Sequence, residues 1–141
     1  MTPGHAIVRP VIALAAWTFV MWAWMYATRI PAIRAASMKL DPHAPRGEQM
    51  ASLPAQVRWK ADNYNHLFEQ PTLFYAVALA LAVIGKGDGL ELTLAWVYVA
   101  LRVAHSIFQA TINKIEVRFG LFVLSSLVLI ALTARAAMAV F

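Results

Sequence analysis

The chain has 141 residues, 61% of them hydrophobic and only 13% charged. A soluble domain carries about 25% charged residues, so the composition excludes an ordinary soluble enzyme. With a mean hydropathy of +0.62, it points to an integral membrane protein.

The net charge of +5 does not indicate a nucleic-acid partner, because the basic residues flank apolar runs. There they set topology and meet lipid headgroups. The absence of cysteine removes disulfides, a thiolate nucleophile of the protein's own and Cys-ligated metal. At about 20 residues per membrane helix, the length allows one domain, residues 1–141, as an all-α four-helix bundle.

Val11–Thr28 carries no charge and reads as the first span, extended to about residue 36. It is too long for a signal peptide and lacks a clear cleavage site. Trp17, Trp22, Trp24 and Tyr26 are read as interfacial anchors, with an aromatic ligand pocket as the alternative. Pro31 should kink the extension. Residues 37–55 contain Pro42, Pro45, Gly47 and Pro54 and read as a loop outside the membrane, too rich in proline for a helix.

The second span, about 56–85, opens with polar residues and then turns apolar. Helical spacing puts Asp62, Asn65 or His66, and Glu69 on one face. Pro71 lacks an amide proton and should bend the helix near Glu69. Residues 86–91 form a tight polar turn. The third span, about 92–113, carries Arg102, His105 and Gln109 on one face. The fourth, about 119–141, holds one charge, Arg135, and small residues around Ser125 and Ser126 suited to close helix contacts.

Four spans put the first and third loops on one side. That side holds Arg29, Arg34, Lys39, Arg46, Arg58, Lys60, Lys114 and Arg118; the other holds Arg9, Lys86 and Arg135. The excess predicts that the first and third loops are cytoplasmic. The small chain, with no organelle address evident, suggests a bacterial inner membrane.

A carboxylate near the bilayer centre costs roughly 2.5–3.5 kcal/mol on insertion scales, so Glu69 requires a partner. Arg102 is the expected one, in an intramembrane pair that fixes helix register; breaking it would cost about 3–5 kcal/mol. The functional reading adds Asn65, His105, Gln109 and Arg118 as the lining of a cytoplasm-facing pocket for a small anionic ligand, which arginine forks suit. Haem or metal ligation by His66 and His105, and an ion or proton pathway, are alternatives. Two histidines without a carboxylate cluster are thin ground for the former, and no metal site is expected.

Asn65, Glu69 and Pro71 at the head of the second span, the long first loop, and the segment RVAHSIFQATINKIEVRF from Arg102 to Phe119 together resemble the MAPEG family, the membrane-associated proteins of eicosanoid and glutathione metabolism. The third-span segment is most similar to the microsomal prostaglandin E synthase branch, with Arg118 thirteen residues after His105. The resemblance implies a homotrimer of four-helix subunits with glutathione as cosubstrate, bound between subunits. It implies a transferase or peroxidase acting on a lipophilic small molecule drawn from the membrane lipids. Arg118 would stabilise the glutathione thiolate, and Arg34, Asn65, Glu69, His105, Gln109 and Lys114 would bind the tripeptide. The chain departs from the branch at Ala61, where an arginine is usual, at Gln109, where a tyrosine is usual, and at Phe119 and Phe122, which replace polar residues. Those departures leave open a non-catalytic membrane scaffold or lipophile-binding protein.

Overall fold

The computed structural model describes residues 4–141, and all regular structure there is helical. Six helices follow in order: α1 Val8–Ala35, α2 Glu48–Ala51, α3 Ala55–His66, α4 Pro71–Val83, α5 Leu90–Thr111 and α6 Ile115–Val140. Four stretches are long and apolar enough to cross a membrane: α1, α3 with α4 as one unit, α5, and α6. Helices are the natural solution for such sequences, because lipid offers no hydrogen bonds to an open backbone.

The element limits differ from the sequence expectation in instructive places. α6 starts at Ile115 rather than near 119, and Glu116 stands in its first turn. A carboxylate there complements the positive end of the helix, so what reads as a charged connector is helix. The preceding turn is short because Asn113 adopts a left-handed φ of 55° and donates its amide to the Phe108 carbonyl at 2.9 Å, a helix stop that asparagine tolerates. α1 runs through Pro31 to Ala35. The first loop is not wholly irregular: α2 forms one turn within it. Gln49 ties that turn back, donating to the Lys39 carbonyl at 2.8 Å and accepting from the Asp41 amide at 3.0 Å.

The second span breaks where Pro71 predicts it should bend. α3 ends at His66 and α4 begins with Pro71 in its first turn, where proline's missing amide costs no helical bond. Between them, Phe68 donates to Asn65 and Glu69 donates to His66, at 3.0 and 3.2 Å. These tighter three-residue bonds satisfy the Phe68 and Glu69 amides within the break.

α5 packs along α6 and against α1 and α3, while α4 touches α1 and α6. The core runs through Leu14, Met21, Phe74, Leu81, Ala95 and Leu132. Phe74 stacks on Tyr98 at a centroid distance of 4.6 Å. Outward-facing Phe19, Val83 and Ile130 are exposed, as lipid-facing residues of a bundle must be.

At the end of the bundle away from the long loop, the chain closes on itself. Gly87 donates to the Gly4 carbonyl at 2.9 Å, and Ile7 donates to the Gly87 carbonyl at 3.0 Å. A Cβ on Gly87 would collide with the Gly4 carbonyl and the Ile7 side chain, so only glycine permits this approach.

Phe74 has no exposed surface, whereas Phe68 is 54% exposed. Phe74→Ala is therefore expected to cost about 3–5 kcal/mol and to lower the thermal midpoint in detergent clearly. Phe68→Ala should leave the midpoint nearly unchanged, and equal shifts would contradict this core.

Candidate functional site

The C-terminal turns of α3 and α5, the break at 67–70 and the start of α6 meet at the long-loop end of the bundle. A cavity of about 390 Å³ opens there, lined by Asp62, Asn65, His66, Glu69, Gln109 and Arg118. Residues from three helices and the break thus converge on one space. A second cavity of about 210 Å³ shares His66 and Arg118 and adds His105, Ile115, Phe119 and Phe122. One arginine therefore borders both a polar chamber and an aromatic one. Arg118 is half-buried and donates from Nη1 to Asn113 Oδ1, which aims the guanidinium and leaves its other donors available.

The two histidines come together as a tilted ring pair. The His66 and His105 rings lie 5.1 Å apart, and His66 is 5.7 Å from the Phe122 ring. Among the described residues no group of three or more potential metal-ligating side chains gathers.

The expected Glu69–Arg102 pair is not formed, and this is a correction. The break swings Glu69 out of the bundle, where its side chain is 67% exposed and bonds His66 Nδ1 at 2.7 Å. Arg102 is wholly buried, and none of its three guanidinium nitrogens has a hydrogen-bond partner. The helix face carrying Arg102, His105 and Gln109 is buried as anticipated, but its arginine points into the bundle and not toward the carboxylate.

Two further expected residues stand apart from the chamber. Arg34 is exposed in the last turn of α1, and Lys114 is exposed at the N-cap of α6; neither lines either cavity.

Two residues that hold the site's walls together were missed. Asn63 is fully buried and donates to the buried Ser106 hydroxyl, joining α3 to α5. Lys60 donates to the Gln56 and Ala110 carbonyls at 2.9 and 3.2 Å and lies 5.2 Å over the Trp24 ring, a cation–π contact. The available signal was a second face on α3: Lys60 and Asn63 sit at i and i+3, beside the Asp62–Asn65–Glu69 face. Gln70, at the break, donates to Ser126 at 2.7 Å and accepts from Tyr98 at 3.3 Å.

Comparison with known proteins gives one match. The family model described as MAPEG family covers residues 7–138. No curated protein matches the chain, and no solved structure does.

The contrast between the two kinds of polar contact is measurable. Ser106→Ala leaves buried Asn63 without its acceptor and is expected to cost about 1–3 kcal/mol. Glu69→Gln removes an exposed contact and should cost about 0–1 kcal/mol. Thermal unfolding in detergent checks the order; a larger loss for Glu69→Gln would restore the intramembrane pair.

Proposed function

The chain belongs to the MAPEG family, and from that premise we propose that it is a glutathione-dependent membrane transferase or peroxidase acting on a lipophilic electrophile. The observation that carries this reading is the convergence of Asp62, Asn65, Glu69, Gln109 and Arg118 on one cavity. Glutathione presents an ammonium, amides, carboxylates and a thiol. Asp62 and Glu69 suit the ammonium, and Asn65 suits the amides. The Gln109 carbonyl oxygen is buried without a partner and is free to accept an amide N–H. Arg118 puts a cation on the cavity wall, and a nearby cation favours a thiolate over a thiol.

The chemistry then follows from position. The thiolate held at Arg118 attacks an electrophilic carbon in the aromatic chamber; the carbon–sulfur bond forms and the leaving group departs with its electron pair. With a peroxide, the sulfur attacks oxygen, the O–O bond breaks and the alkoxide takes a proton. A second glutathione then converts the sulfenic acid to the disulfide and water. Phe119 and Phe122 give that chamber an apolar wall next to Arg118, consistent with a substrate that partitions from lipid.

The same proposal takes the subunit as one third of a homotrimer, with Arg34 and Lys114 available to a glutathione held between neighbours. The proposal also takes the chamber to face the cytoplasm of a bacterial inner membrane, where glutathione is supplied; the excess of basic residues on the side of the first and third loops supports that reading. A scaffold that binds lipophiles without thiol chemistry is the rival reading.

Glutathione added to the purified protein is expected to show the ultraviolet thiolate band with an apparent pKa below the ordinary thiol value of about 8.5. Arg118→Ala should remove the band while the oligomer and its melting temperature persist. A band that survives this change, or turnover that does, refutes the role given to Arg118. No band and no calorimetric binding in the unaltered protein favours the scaffold.

A further inference from the structure

A third cavity, of about 410 Å³, lies beside the glutathione chamber and takes arginines from three separate elements. Arg29 comes from α1, Arg46 from the long loop before α2, and Arg58 from α3. Among the described residues, Asp62 is the only carboxylate on its wall. The ion pairs among the described residues are His66–Glu69 and Arg135–Glu91, so none of the three guanidinium groups is neutralised by a carboxylate. Arg58 uses Nε to hold the Leu53 carbonyl at 3.0 Å, which fixes the side chain and leaves its terminal nitrogens free. Arg29 Nε is buried without a partner. Met50, Leu53 and Val57 supply an apolar side.

Placement in the membrane follows from length. α1 has 28 residues, about 42 Å at 1.5 Å per residue, against a hydrocarbon core of about 30 Å. With Arg9 at one boundary, the 20 residues to Arg29 span about 30 Å, so Arg29 and the turns after it stand at headgroup level, as do the loop and the start of α3 that face them.

We propose that this cavity binds a phosphate-bearing group, the headgroup phosphate of a membrane lipid or a soluble phosphate. A carboxylate offers two coplanar oxygens, which one arginine fork satisfies. Three guanidinium groups arriving from three directions instead match the tetrahedral oxygens of a phosphate. The volume exceeds that of a bare phosphate, and the apolar side accommodates what the phosphate is attached to. Asp62 and Asn65 line both this cavity and the glutathione chamber, so an occupant here shares a wall with the reaction site.

The test uses the full chain in neutral detergent with phosphatidylglycerol, diacylglycerol or inorganic phosphate added, without glutathione. Native mass spectrometry reads retained lipid per chain, and calorimetry reads inorganic phosphate. Phosphatidylglycerol is expected to be retained over diacylglycerol. The double change Arg46→Gln with Arg58→Gln should weaken that retention about tenfold or more. Arg46→Glu alone, on the exposed loop, should weaken it with the helices intact. Retention of phosphatidylglycerol without inorganic phosphate assigns the site to headgroups, and binding of inorganic phosphate assigns it to soluble phosphate; either supports the site. Equal retention of diacylglycerol, retention unchanged in both variants, or no binding of either phosphate probe overturns it. Because no thiol is present, this outcome is independent of the thiolate band.

Discussion

Within a bilayer, a backbone group without a partner costs several kcal/mol, and the four residues between His66 and Pro71 are where this chain tests that limit. Pro71 cannot donate an amide proton, so the second span cannot run as one regular helix. The chain meets the constraint locally, with three-residue bonds through 67–70, and globally, with Gln70 bridging Ser126 on α6 and Tyr98 on α5. Much at the reactive end hangs on that break. It turns Glu69 outward into the chamber, sets α4 on its course against α1 and α6, and places the Phe74 ring against Tyr98.

The polar side chains around the break fall into two kinds. Asn63 Nδ2 is committed to the Ser106 hydroxyl and Lys60 Nζ to backbone carbonyls, and they hold α3 against α5 and α1. Asn65, Glu69, Gln109 and Arg118 keep donors or acceptors facing open space. A buried polar group that is satisfied rigidifies its surroundings; one left facing a cavity is available for recognition. The division runs between positions two apart on a single helix, with Asn63 turned inward and Asn65 turned out.

That division marks where the sequence stops being legible. Span number and class follow from apolar run length, and the Arg102–His105–Gln109 face from helical period, because both are local properties of the chain. That Asn65, Gln109 and Arg118 come near one another was readable for the same reason: each lies toward the same end of its span. The partner of Glu69 was not. Periodicity assumes an unbroken helix, and the break that Pro71 announced also rotates the side chain next to it. Opposite charge suggested Arg102, while the geometry delivered His66, three residues away. The gathering of Arg29, Arg46 and Arg58 was equally hidden, since it depends on how the proline-rich loop folds back over α3.

The pairing of Gly4 and Ile7 with Gly87 gives the molecule a polarity that helix packing alone would not. One end of the bundle is clasped by two short backbone bonds through a position where no side chain fits. The opposite end is covered by a loop held mainly by the side chain of Gln49. The closed rim is thus fastened through main chain that tolerates no side chain, while the rim where both charged cavities open is spanned by a side-chain tether.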